Sequence, residues 1–257
     1  MIQRMLASAL FAGFAAGLLA AMLHFAFVQK LILLAEQYET GALVHYQGVS
    51  PDDGHTDHSH DATVAPDGAA PTDATEVAGA AGPDVQHEAA EVSDLQRNAF
   101  TVLFFTLTYA GYGLLMVAGF AVAEQFGHKV EVRQALFWGL AGFAAFQLAP
   151  AMGLAPELPG TGAADLTARQ IWWIGTVLAT GGAAALWAFG RGAVARIAAI
   201  ALVATPHVIG APHLDGFSGV VPPELASEFA SRGLGVALVA WLGLGSFATR
   251  LWVGKSA

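Results

Sequence analysis

Six stretches of the chain are apolar over roughly the 20 residues that a helix needs to cross a lipid bilayer. They cover residues 5–28, 99–123, 135–152, 171–189, 197–209 and 233–249. A segment that crosses a bilayer must satisfy its own backbone hydrogen bonds, which restricts it to a helix or to a strand of a closed barrel. The sequence therefore predicts an all-α, polytopic integral membrane helical bundle. It has about six transmembrane helices and a long disordered outer loop after the first.

The composition agrees with a membrane protein. Charged residues make up 12% of the 257 residues, about half of the roughly 25% found in a soluble domain. The first apolar stretch is longer than the roughly 7–15-residue core of a signal peptide, so we expect a retained anchor. The fifth stretch is the weakest, because it reaches full length only by continuing through Pro206 and Pro212 toward Leu214. A five-span chain, with this segment re-entrant or broken, remains open.

One long polar segment follows the first span. Between Pro51 and Glu91 it contains almost no large apolar side chain, so it cannot bury enough surface to offset the entropy of ordering. We therefore divide the chain into transmembrane helix 1 (1–34), an acidic, histidine-bearing and largely disordered loop (35–98), and a bundle of about five helices (99–257).

Basic residues collect on one side of the predicted membrane. With six spans, that side holds both termini and the segments 124–134 and 190–196. It carries Arg4, Lys129, Arg133, Arg191, Arg196, Arg250 and Lys255 against Glu124 and Glu131. The positive-inside rule then places both termini in the cytoplasm and the loop 35–98 in the periplasm of a bacterium. Five of the six tryptophans lie near predicted span ends, where membrane interfaces favour them, whereas Trp241 lies inside the last span.

The outer loop contains a histidine and aspartate cluster in the sequence "GHTDHSHD". The cluster consists of His55, Asp57, His58, His60 and Asp61. Imidazole nitrogens suit cobalt, nickel, copper and zinc ions, and carboxylates add charge and oxygen ligands. Short histidine-rich tracts are typical of metal binding, so we predict a metal site here. The alternative, that these are solvated loop residues without a partner, remains open.

Several polar residues lie within the spans or just beyond their outer ends. We predict that His24, Gln147, Glu157, His207 and His213 form a transport pathway reached from the periplasm, because polar groups at membrane depth are costly and mark functional sites. A purely structural role remains open as well. Gln147 could donate an interhelical hydrogen bond, His24 could face lipid headgroups, and Glu157 could follow a proline turn.

Other classes of protein find little support in the sequence. The absence of cysteine excludes disulfides and thiolate chemistry, and the net charge of −9 argues against nucleic-acid partners. No H-E-x-x-H, G-x-S-x-G or phosphate-binding loop is present. The sequence therefore does not predict an enzyme.

Four segments resemble the CbtA-type cobalt transporter subunits. They are "WGLAGFAAFQLAPAMGLAPELPG" (138–160), "ADLTARQIWWIGT" (164–176), "TPHVIGAP" (205–212) and "VPPELASEFA" (221–230). The resemblance covers nearly the whole chain apart from most of the loop 50–92. It implies a multi-pass protein of the bacterial inner membrane that is paired with a small, single-span CbtB-type subunit and is associated with cobalamin supply.

We therefore predict a subunit that takes up Co²⁺, with Ni²⁺ or Zn²⁺ as alternative ions, and that holds no permanent cofactor. The outer loop would collect the ion and pass it to the pathway residues. The expected partners are membrane lipid and the CbtB-type subunit, and oligomer formation is left open. A different class also remains open, in which the protein is a non-transporting membrane subunit that scaffolds or regulates a larger complex.

Overall fold

The protein is an all-helical bundle. The computed structural model describes residues 2–45, 94–216 and 218–254, and the predicted loop cluster at residues 55–61 lies outside them. The α-helices are α1 (Ile2–Phe27), α2 (Gln29–Glu39), α3 (Asp94–Gln125), α4 (Ala135–Phe143), α5 (Ala149–Ala151), α6 (Leu166–Phe189), α7 (Gly192–Ile209) and α8 (Pro223–Val253). A 3₁₀ turn (Val132–Gln134) precedes α4, and a π-helical turn (Ala144–Leu148) joins α4 to α5. The predicted all-α fold is confirmed.

Five of the described helices are long and apolar enough to cross a membrane, namely α1, α3, α6, α7 and α8. The fifth predicted stretch, which looked weakest in the sequence, forms α7 as one helix of 18 residues that ends before Pro212. The interruption lies instead in the third stretch, where α4, the π turn and α5 contain 9, 5 and 3 residues. At 1.5 Å per residue this segment extends about 25 Å.

The core of the bundle is built from α1, α3 and α8, which meet through small residues. A Cβ atom placed on Gly13 would lie 2.5 Å from the Cα atom of Ala110, and one on Gly17 would lie 2.5 Å from the Cα atom of Thr106. Helices in lipid associate through this kind of close backbone approach, since no hydrophobic effect drives apolar helices together there. Gly139 of α4 approaches the backbone of α8 in the same way, with its Cβ position 2.5 Å from the Trp241 carbonyl oxygen.

The helices α6 and α7 form a hairpin that is attached to the bundle along one side. α7 packs against α6, and α6 in turn contacts the segment from α4 to α5. The indole nitrogen of Trp172 donates a buried hydrogen bond to the carbonyl oxygen of Pro206 at 3.0 Å. Most of the remaining α7 surface is apolar and exposed, with Val194 and Val208 more than 80% exposed, as expected for a helix that faces lipid.

The two ends of the bundle are defined by different contacts. At one end, which we call the α2 end, residues Leu31 and Ala35 of α2 pack against Leu158, Val221 and Leu225. At the opposite end, the Trp252 indole donates to the Glu124 carboxylate at 2.9 Å, and the rings of His128 and Phe189 lie 4.5 Å apart. The segment from α4 to α5 follows His128 in the chain and precedes Leu158. It therefore runs from the opposite end of the bundle to the α2 end.

Candidate intramembrane site

A cavity of about 370 Å³ lies in the half of the bundle nearer the α2 end. Its walls come from α1, α3, α8 and the π turn, and two of the residues predicted for the pathway, His24 and Gln147, both line it. Thr108, Tyr109 and Tyr112 of α3 add hydroxyl groups to the same wall. Polar residues from three separate segments of the sequence thus line one open cavity whose surface is otherwise largely apolar.

His24 lies in the last turn of α1. Its ring is half-buried and packs 5.1 Å from the ring of Phe105 on α3. Within the described part of the chain, no hydrogen bond or ion pair occupies its imidazole nitrogens. Because a neutral imidazole offers one lone pair, this side chain is available to a cation that enters the cavity.

Gln147 lies in the π turn, and Pro150 explains why the turn forms there. Proline has no backbone N–H, so the carbonyl group of Phe146 loses its α-helical hydrogen-bond partner. The backbone widens locally, and the N–H of Ala149 donates to the carbonyl of Ala144 five residues earlier. The turn directs the Gln147 side chain into the cavity. Its amide makes no hydrogen bond to any other described residue.

An aromatic cluster of Tyr112, Phe146 and Trp241 closes the cavity on the side away from the α2 end. The ring of Tyr112 lies 4.7 Å from that of Trp241 and 5.2 Å from that of Phe146, and the rings of Phe146 and Trp241 stack at 5.4 Å and 21°. Trp241 is 2% exposed, and its indole N–H has no hydrogen-bond partner in the described structure. The sequence analysis missed this cluster. Its only signal was a tryptophan inside a span, away from either interface.

A second, more apolar cavity of about 500 Å³ lies beyond the cluster. It extends between α3, α4 and α6 to Gln134 and Phe189, near the opposite end of the bundle. Tyr112 lines both cavities, and Phe146 and Trp241 line the second. The aromatic cluster therefore lies between the cavity that His24 and Gln147 line and the cavity that reaches Gln134 and Phe189.

The three other predicted pathway residues lie outside the first cavity. Glu157 forms an ion pair with Arg169 at 2.7 Å, next to Pro156 on the cavity wall. His213 is exposed in the connection between α7 and α8. His207 lies on α7, with its ring 6.0 Å from that of Trp172, and its Nε2 atom is buried without a hydrogen-bond partner in the described residues.

The metal-binding capacity of the described residues is small. They contain no group of three or more histidine, aspartate or glutamate side chains that could hold a metal ion. His55, Asp57, His58, His60 and Asp61 lie outside the described residues. The cavity itself offers one imidazole, that of His24, and one amide, that of Gln147.

No curated protein and no solved structure matches the sequence. The family model described as "Probable cobalt transporter subunit (CbtA)" matches residues 2–253, which is nearly the full chain. The match supports a transporter role for a multi-pass membrane protein, and the word subunit implies that the protein works with a partner. On this match, and with the all-helical membrane bundle it accompanies, the chain belongs to the CbtA family of probable cobalt transporter subunits.

Proposed function

We propose that this protein carries Co²⁺ across the bacterial inner membrane and that the cavity between His24 and Gln147 is its intramembrane ion site. The observation that carries the proposal is the meeting of these two polar side chains, from α1 and the π turn, in one cavity of a chain of the CbtA family. Neither side chain has another polar partner among the described residues, so both can turn toward an ion.

The ligands and the size of the cavity suit a largely hydrated divalent ion. Co²⁺ accepts imidazole nitrogen and carbonyl oxygen ligands, and His24 and Gln147 supply one of each. A space of about 370 Å³ has room for about ten waters at roughly 30 Å³ per water. An ion held by two protein ligands and several waters leaves readily, as transport demands.

The rest of the path follows from the proposed orientation. The α2 end faces the periplasm, so that both termini lie in the cytoplasm, in agreement with the basic residues of the short loops. His55, His58 and His60, with Asp57 and Asp61, collect the ion outside. His213 and Glu157 lie at the same end and guide the ion toward the cavity. The membrane potential favours the inward step by about 2.3 kcal/mol per charge per 100 mV.

The deciding experiment is uptake of radioactive cobalt into cells that lack their own cobalt importers. The small CbtB-type subunit is supplied as the proposed partner, and the intact chain is compared with His24→Ala and His207→Ala. The two substitutions remove the same side chain, and both positions lie toward the α2 ends of their helices, but only His24 lines the cavity. We expect His24→Ala to abolish most uptake and His207→Ala to retain it.

Different uptake results would assign the function differently. Loss of uptake with His207→Ala alone would place the path along α6 and α7. Uptake equal to that of empty cells, with all proteins present in the membrane, would favour a subunit that scaffolds or regulates a larger complex. Nickel or zinc uptake that exceeds cobalt uptake would change the assigned ion. It would leave the assigned path unchanged, since imidazole binds all three ions.

A further inference from the structure

We propose that Tyr112, Phe146 and Trp241 form a gate between the two cavities, and that the π turn moves it. The inference rests on the proposed transport function, because a gate has a role only where something passes. Its basis is geometric. Tyr112 lines the cavity near the α2 end and also the cavity that leads to the opposite end, and no other described residue lines both.

The contacts within the cluster are suited to opening. The three rings lie 4.7–5.4 Å apart, and no hydrogen bond joins them in the described structure. Ring contacts of this kind are weak compared with a buried ion pair. The indole N–H of Trp241 has no partner among the described residues in the closed arrangement. Separation of the rings therefore breaks no hydrogen bond and exposes a donor that water can use.

The π turn connects the ion site to the gate. Phe146 and Gln147 are adjacent residues of the same turn; one packs in the gate and the other lines the cavity with His24. A π turn forms its hydrogen bonds over five residues instead of the four of an α-helix, and such turns are frequent at functional sites. If an ion draws the Gln147 carbonyl toward His24, the same backbone shift moves the Phe146 ring. Occupation of the site is thereby linked to opening of the gate.

Accessibility of single cysteines tests the gate directly, because the chain contains no cysteine of its own. Thr108→Cys reports on the cavity near the α2 end, and Ala141→Cys reports on the other cavity. Each is treated with a membrane-impermeant thiol reagent in right-side-out and in inside-out vesicles. We expect the two positions to react from opposite faces of the membrane.

Removal of the central ring should join the two cavities. We expect the Tyr112→Ala substitution to accelerate the reaction of Ala141→Cys about tenfold. The comparison uses reagent added on the side of the membrane from which Thr108→Cys reacts. Tyr112 contacts three rings, those of Tyr109, Phe146 and Trp241, and the loss of aromatic contacts of ordinary strength gives a change of this order. Tyr112→Phe keeps the ring and should leave the rate unchanged. Phe100→Ala removes an exposed ring from the same helix, away from both cavities, and serves as the matched control.

Three results would overturn the gate: reaction of Ala141→Cys from both faces in the intact chain, reaction from neither face, or no acceleration with Tyr112→Ala. Retention of the one-sided Thr108→Cys reaction shows that the bundle is intact in each variant. If Tyr112→Ala disturbs it, Phe146→Ala removes the facing ring and carries the same expectation. Since labelling requires no metal, a protein that passes this test but takes up no cobalt refutes the proposed function and leaves the gate standing.

Discussion

Substitution of Gly13 by alanine tests how the core of the bundle is held together. The new Cβ atom would lie 2.5 Å from the Cα of Ala110 and from the carbonyl oxygen of Tyr109, whereas ordinary contacts begin at 3.4 Å. The helices α1 and α3 must therefore move apart by about 1 Å, since neither obstacle is a flexible side chain. Insertion of a methyl group into a tight interface costs about 1–3 kcal/mol. For a chain of this size, that lowers the Tm by about 5 °C.

The measurement is the thermal unfolding midpoint of the purified protein in detergent, with Gly111→Ala as the matched control. Gly111 lies on the exposed side of α3, where a Cβ atom would meet nothing within 4 Å. Its replacement should leave the Tm unchanged or raise it slightly, because alanine favours a helix by up to about 1 kcal/mol over glycine. Equal Tm values for Gly13→Ala, Gly111→Ala and the intact chain would refute the assignment of α1 and α3 as the tightly packed pair.

Two further substitutions probe the attachment of α6. Trp172→Phe removes the buried donor to the Pro206 carbonyl and should lower the free energy of unfolding by about 1 kcal/mol. Trp173→Phe is the control and should leave the free energy of unfolding unchanged. The two variants are compared by thermal unfolding in detergent. Arg169→Gln breaks the ion pair with Glu157. The Arg169 side chain is 26% exposed and that of Glu157 is 34% exposed. It should cost less than about 1 kcal/mol, and the double variant with Glu157→Gln should cost no more than either single change.

The fold could be predicted because the apolar stretches are long and distinct. Their lengths identify the helices before any packing is known, and α3 begins at Asp94, with that acidic side chain in its first turn. Proline predicts a break in both the third and the fifth stretch, and the structure has one only in the third. Pro206 and Pro150 look alike in sequence, yet α7 continues to Ile209, with its proline one turn from the end. Both prolines remove a backbone N–H, but only Pro150 follows a π turn, in a segment where α4 packs against α8 and α5 against α6.

The site was predictable only in part. Polar residues at membrane depth can be found in a sequence, but which of them share a cavity depends on which helices are neighbours. His24 and Gln147 meet because α1 and the π turn both border α8, whereas His207 lies on a hairpin that attaches through α6. The aromatic cluster has no sequence pattern at all. Phenylalanine and tyrosine are common in spans, and only Trp241 was unusual in its position.

The segment from α4 to α5 departs from a regular helix and lies against both cavities. A proline inside a helix costs about 3 kcal/mol relative to alanine, and an amide without a partner at membrane depth adds to this cost. A regular helix with alanine in place of Pro150 and leucine in place of Gln147 would be longer and more stable. Natural proteins depart from helix propensity and from complete pairing of buried polar groups chiefly at functional sites. The break sets Gln147 beside His24 and Phe146 beside Tyr112, so its cost is itself an argument that the ion site and the gate lie here.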